Sequence, residues 1–307
     1  MDTVMEITVY GDEVSLKKAE NLIKDLEEKF SVTLEESDIY RLNSEGSASV
    51  SEDSYELLNK GKEICERTGG VLDLTVYPIV RAWGFTTGEY RVPGEDEIGE
   101  LLKKVDYRQI TLGDEGLVTI PEGVMADLGS VAKGYTGDRL MELFRDCGIT
   151  SALINLGGNV QALGTKPDGS LWKVAIADPG GGEGYAGVVA MEGKAVITSG
   201  AYERFFEENG HTYHHIIDTS TGCPAESGFV SVTVIGEEGV LCDGLSTSLF
   251  AMGPEKAFEF WRESNDFEAV FITSDDRIFV TEGTEGSFTP LGRYKNVKPE
   301  VLRHDQN

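Results

Sequence analysis

Basic residues are scarce in this chain: 27 lysines and arginines stand against 54 aspartates and glutamates, a formal net charge of −27 over 307 residues. A field of that sign repels nucleic acid and anionic lipid, which argues against non-specific binding to either. It also sets a condition on any anionic ligand, since a phosphate site here needs a nearby lysine, backbone N–H groups or a divalent cation. Much of the charge has the plainer role of keeping helix faces solvated. Cysteine is limited to Cys65, Cys147, Cys223 and Cys242, with no C-x-x-C pair, so a zinc cluster or thioredoxin-like centre is not expected. Buried thiols and disulfides both stay open. No apolar run reaches the ~18 residues of a membrane span. The opening MDTVMEITVYG reads as a strand rather than as a signal peptide, so the chain is either cytoplasmic or lacks its leader. Internal repeats and low-complexity tracts are missing too.

What is present suits a folded protein: 40% apolar and 26% charged residues, with a length for about two domains or one large one. Val4–Tyr10 reads as a strand and Leu16–Phe30 as a helix, and Ser51 is placed to cap a second helix through Arg67. Leu74–Trp83 is apolar but broken by Pro78. Gly94–Val105 reads as a surface helix, and Gln109–Leu112 with Leu117–Ile120 as a hairpin. Asp127 is read as closing a short strand before a helix over Val131–Cys147. From Ala152 strands dominate: Leu153–Asn155, Trp172–Ala177, Gly187–Met191, Ala195–Thr198, and Tyr202–Glu207 with Thr212–Ile217 around Asn209-Gly210. Val230–Ile235 follows, then a helix containing Leu245–Met252, another from Pro254 to about Glu263, and a last pair turning at Asp275-Asp276. The pattern predicts an α+β fold of antiparallel sheets with packed helices. Pro179–Gly184 is a candidate subdomain division or simply a loop tip.

Three segments carry polar groups in suggestive patterns. Asp127-Leu128-Gly129-Ser130-Val131-Ala132-Lys133-Gly134-Tyr135 enters a helix whose start offers small residues, free N–H groups and a lysine, all suited to phosphate. It lacks the Walker spacing, and Asp127 as a cap with Lys133 solvated is the plainer reading. Asp243 and Thr247 are four apart, hence on one helix face, and oxygen ligands suit a hard cation such as magnesium. The plainer reading makes Asp243 a cap and lets the Thr247 hydroxyl bond back along its helix. In His211–Asp218, His214 and His215 point to opposite faces of a strand, so both cannot easily reach one metal. One of them suits acid–base work or phosphate contact, and cross-strand packing competes with that. Asn155–Asn159 and Thr198–Gly200 end strands in glycine, where backbone can approach closely. Trp83-Gly84-Phe85 offers an aromatic pair for a flat ring or for the core.

Taken together and in order, these blocks resemble the ApbE family of flavin transferases. The matching segments are DTVMEITVYG from Asp2, SDIYRLN (Ser37–Asn43), GGVLDLTVYPIVRAWGF (Gly69–Phe85), DLGSVAKGY (Asp127–Tyr135), INLGGN (Ile154–Asn159), ITSGAYERFFEENGHTYHHIIDTSTGCPA (Ile197–Ala225) and DGLSTSLFAMG (Asp243–Gly253). They cover nearly the whole chain. The resemblance implies a single ApbE-like catalytic domain over residues 1–307, with two closely associated subdomains and the site between them. It implies FAD as substrate and Mg²⁺ as cofactor, with FMN moved to a threonine hydroxyl of a target flavoprotein and AMP released. Carried over by motif, metal ligands fall on the Ser130 carbonyl, Asp243 and Thr247, with Ser246 nearby. Flavin nucleotide contacts fall on Trp83, Gly84, Phe85, Asp127, Lys133 and His215, and catalytic roles on His215 and Asp243. Two stretches depart from the usual pattern, Asp73–Pro78 and Ile217–Gly222, and Tyr77 is placed to reshape the pocket wall.

The metal ligands so assigned come from two distant helices, so the helix after Asp127 and the helix carrying Asp243 must meet. Rival functions are a Mg²⁺-dependent FAD pyrophosphatase yielding FMN and AMP, a flavin-binding protein without turnover, and an adhesin-like surface protein. The resemblance further implies an extracytoplasmic protein held at the membrane by a lipoprotein leader outside this sequence.

Overall fold

The computed structural model describes residues 3–11, 13–182 and 184–305. Asp2, the first residue of the matching blocks, and Glu183 within the candidate division lie outside them. Among the described residues seven α-helices occur: α1 (Glu13–Phe30), α2 (Asp38–Glu45), α3 (Glu52–Arg67), α4 (Tyr77–Ala82), α5 (Glu95–Leu102), α6 (Ala132–Asp146) and α7 (Gly239–Arg262). None is long and apolar enough to cross a membrane. The fold is α+β and its strand pairing is antiparallel, save that Ile278–Thr281 runs parallel to Glu300–Leu302.

Two compact units divide the chain, one of residues 1–20, 133–202 and 226–307, the other of residues 21–132 and 203–225. The first is built on an eight-stranded sheet in the order Met5–Val9, Ala152–Leu156, Asn159–Leu163, Ala195–Gly200, Phe229–Gly236, Phe267–Thr273, Ile278–Thr281, Glu300–Leu302. A three-stranded sheet of Phe288–Pro290, Tyr185–Met191 and Trp172–Ala177 belongs to the same unit. The two sheets share one core that includes Val160, Trp172, Ile176, Val189, Ile235, Ile272 and Phe288, a sandwich filled by alternate residues of each strand. α7 packs on Ala195–Gly200 and Phe229–Gly236. Residues 179–182 and Gly184 lie between the strands Trp172–Ala177 and Tyr185–Met191 of this unit.

The second unit holds α2 to α5, a small sheet of Ser47–Ser49, Leu117–Thr119 and Thr111–Leu112, and the hairpin Phe205–Glu208 with His211–His214. The hairpin turns on Asn209 (φ 53°) and Gly210 (φ 81°), the left-handed pair that the right-handed strand twist favours. Ser51 caps α3, its side chain accepting the Ser54 N–H.

Two expectations need correction. Pro78 does not break its segment but lies in the first turn of α4, where a missing N–H costs nothing. No strand ends at Asp127. There the Asn43 side chain bonds both the N–H and the carbonyl of Ala126, and the Asp127 N–H donates to Leu74 O, so the backbone is satisfied without a ladder. The two helices expected around Pro254 are both present and meet at a kink inside α7, where Gly253 at φ 74°, ψ 171° leaves helical geometry just before the proline.

Candidate active site

Within the first unit, α6 and α7 fasten to each other at their N-terminal ends. Glu238, at the N-cap of α7, makes no side-chain capping bond among the described residues. Asp138 of α6 caps the helix instead, its Oδ1 accepting the Gly239 N–H at 2.6 Å and its Oδ2 the Val240 N–H at 2.8 Å. A carboxylate there satisfies two donors that have no intrahelical acceptor and complements the helix dipole. The fastening is reciprocal: Gly134 N–H, in the first turn of α6, donates to Asp243 Oδ2 of α7 at 2.8 Å. Beneath them Gln161 Nε2 donates to Gly134 O at 2.9 Å. Asp138→Ala is expected to cost about 1–2 kcal/mol in urea unfolding, with Asp138→Asn losing less because one acceptor oxygen remains.

Asp243 is only 5% exposed. Burial pushes its pKa up to about 6, opposed by the Lys133 charge, the Gly134 N–H and the Asn159 amide. Thr247 stands one turn further along and is half-buried. The hydroxyls beside it form a directed chain. Ser246 Oγ donates its single proton to Asp243 O at 2.9 Å, so the 2.8 Å contact with Ser199 Oγ has Ser199 as donor. The 3.2 Å contact between Ser199 Oγ and Thr247 Oγ1 then has Thr247 as donor, which leaves the Thr247 lone pairs for another partner. Ser246 is fully buried and orders this chain from inside.

Sequence reasoning did not single out Ser199, Gln161, Asn159 or Asp138 as site residues. In the sheet, Asn159 pairs with Ile197 and Gln161 with Ala195, so with Ser199 they share one buried face, the face on which α6 and α7 lie. The signal was the alternation Asn159-Val160-Gln161 after Gly157-Gly158, legible only once a strand is assigned there.

In the second unit Asp127 is half-buried, and its Oδ1 accepts the Gly129 N–H at 2.9 Å. Loss of solvent holds its pKa above the usual carboxylate range, against the Gly129 N–H and the charge of Arg204. Ser130 lies in the turn that closes when Val131 and Ala132 N–H both donate to Leu128 O. Burial also raises the pKa of Tyr77, whose hydroxyl is near Thr86 and Asp127. Trp83 is a core residue with its indole N–H spent on Gly222 O at 2.8 Å. Around it stand Phe206, Tyr213 and Phe85, and Phe85 meets the His215 ring edge-on at 6.3 Å. Gly84, at φ 86°, admits no side chain because a Cβ would lie 2.2 Å from Glu89 O.

The adjacent histidines hold opposite tautomers. His214 Nδ1 accepts the Ile216 N–H and Nε2 faces Ala225 O, so Nε2 carries its proton. His215 Nδ1 lies 3.2 Å from Arg204 O and donates to it, which makes Nε2 the acceptor atom of the neutral ring. Among the described residues the four cysteines are free thiols, and burial pushes Cys65 up to about 12 and Cys242 well above its usual range, so neither is a nucleophile at neutral pH.

No group of three or more His, Cys, Asp or Glu able to hold a metal occurs among the described residues. A cation at Asp243 would rely on one carboxylate with hydroxyl and carbonyl oxygens, a sparse oxygen donor set that Mg²⁺ accepts because it retains several of its waters.

A model of the ApbE family matches residues 1–271. The FAD:protein FMN transferase of Treponema pallidum (strain Nichols) is 35% identical over 288 residues, spanning 88% of this chain and 80% of that protein. That of Escherichia coli (strain K12) is 32% identical over 240 residues, 76% of this chain and 68% of that one. The crystal structure of the ApbE protein from Thermotoga maritima superposes with a TM-score of 0.85 at 31% identity, covering 92% of this chain and 94% of that one. The flavinyl transferase ApbE of Pseudomonas stutzeri, in its apo form, gives 0.83 at 26% identity with 94% of each chain covered.

Proposed function

The chain belongs to the ApbE family, and on that footing we propose that it transfers FMN from FAD to a threonine hydroxyl of a target flavoprotein, releasing AMP with Mg²⁺ as cofactor. It is a transferase, as its relatives are named. The observation that carries the metal-dependent reading is Asp243, a buried carboxylate with a raised pKa, one helical turn from a threonine whose lone pairs are left over. A flavin carrier has no use for that pair. The ligand set we propose is Asp243 and Thr247, with Ser246 ordering the hydroxyls and the Ser130 carbonyl as the family pattern assigns it.

When bound, Mg²⁺ would polarise the phosphoryl oxygens and ease departure of AMP. The acceptor oxygen bonds the FMN-side phosphorus as the bond from that phosphorus to the bridging oxygen breaks. The electron pair leaves with AMP and the hydroxyl proton goes to a base. His215, with Nε2 as its acceptor atom, is our candidate for that base or for a phosphate contact. Lys133 offsets phosphate charge, which a chain of net charge −27 requires. Asp127 and the stretch Trp83-Gly84-Phe85 are proposed to contact FAD, Trp83 by holding the wall in place from the core.

The competing reaction is hydrolysis, with water in place of the threonine. Incubation with FAD and Mg²⁺, with and without a target flavoprotein, separates the two. Transfer predicts AMP release that depends on the acceptor. Equal release of AMP and free FMN without it would establish a pyrophosphatase instead.

A further inference from the structure

Asn159 opens the strand Asn159–Leu163 directly after the Gly157-Gly158 turn. It is 1% exposed, yet among the described residues neither its Oδ1 nor its Nδ2 has a hydrogen-bond partner. The amides around it fare differently. Gln161, two residues on and on the same face, spends its Nε2 on Gly134 O, and Asn155 Oδ1 accepts the Gly158 N–H. Burying both ends of an amide unpaired is costly, and such a group calls for an explanation in what it serves.

The register supplies one. Asn159 is opposite Ile197, two positions from Ser199, whose hydroxyl touches Ser246 and Thr247. The amide acts on Asp243 as a weak donor that favours its charged form, although it falls short of full hydrogen-bond geometry.

We propose that Asn159 is a positioning residue for the cation site, holding the Asp243 carboxylate in the orientation that receives the ion, with its amide N–H paired only when the ion is bound. This rests on reading Asp243 and Thr247 as cation ligands. Groups that orient a metal ligand typically change affinity 10–100-fold when removed. An apolar residue of similar volume should cost the empty protein little, because it removes two poorly paired buried atoms while giving up the amide's support of the Asp243 charge.

The test is calorimetric titration of the full chain with Mg²⁺ alone, for wild type, Asn159→Leu and Asn159→Ala, alongside melting temperatures in chelator. Asn159→Leu is expected to weaken Mg²⁺ binding at least tenfold while melting, metal-free, near the wild-type temperature. Asn159→Ala should show the same loss of affinity and serves if the leucine variant does not fold. Binding within twofold of wild type in either folded variant overturns the proposal, and does so whether or not metal-free stability falls. A wild-type chain that takes up no Mg²⁺ would instead bring down the reading of the cation site itself.

Discussion

Asp243→Asn is expected to stabilise the metal-free protein at pH 7.5 while lowering flavin transfer at least about 10³-fold, a loss of several kcal/mol of transition-state stabilisation. The two effects share one cause. Burial raises the Asp243 carboxyl from 3.8 to about 6 in the folded chain. A group whose folded pKa is raised contributes stability that is complete below its unfolded pKa and lost as pH rises through the folded one. Metal-free wild type should therefore lose stability between about pH 4 and pH 6, and the gap of about two pH units corresponds to about 3 kcal/mol. Asparagine keeps the shape and can still accept the Gly134 N–H, but has no charge to bury. Urea unfolding in chelator from pH 4.5 to 7.5 checks this: the two proteins should converge at the acid end and separate above pH 6. Saturating Mg²⁺ should close the gap by stabilising only the wild type. A variant less stable than wild type across the whole range would show that the carboxylate is already compensated without an ion.

Gly134→Ala should disrupt the joint between α6 and α7. Its Cβ would meet Gly239 O at 2.2 Å and the Asp243 Cβ at 2.8 Å, and the first of these is backbone that can yield only if α6 and α7 separate. Overpacking of this kind costs about 1–3 kcal/mol or more, and separation also breaks the Gly134 N–H bond to Asp243. We expect a loss of about 3 kcal/mol and Mg²⁺ affinity reduced in parallel. Gly99→Ala is the control: in α5, with nothing within 4 Å of the added methyl, it should stabilise by about 0.5–1 kcal/mol. A Gly134→Ala protein with unchanged stability and Mg²⁺ affinity would mean that the helices accommodate the methyl.

Much of this is legible in the sequence alone. Alternation and turn residues found most of the sheet strands, and Asn209-Gly210 and Asp275-Asp276 marked their turns because only certain residues accept positive φ there. The meeting of α6 with α7 followed from matching two distant motifs to one ligand set, and the Gly134–Asp243 bond realises it. Other features were illegible for physical reasons. Asn159–Leu163 is buried at every position, and its alternation stops at Gln161, too short a run to set a strand period. The Asp127 segment has no ladder because its backbone is satisfied by Asn43 and Leu74, far away in sequence. Asp138 as the cap of α7 is a long-range choice: a local reading looks for the cap at residues 237–239 and finds only glutamates and a glycine. Trp83 looked equally fit for a flat ligand or the core, and only its bond to Gly222 O shows where its N–H is spent.

The most direct test of the central claim is intact and peptide mass spectrometry of a target flavoprotein after incubation with this chain, FAD and Mg²⁺. FMN linked through phosphate to one threonine is the expected product, with AMP formed in equal amount. The adduct should be absent in chelator, with Asp243→Asn enzyme, or with that threonine replaced by valine. An unmodified acceptor alongside accumulating free FMN and AMP would contradict the claim.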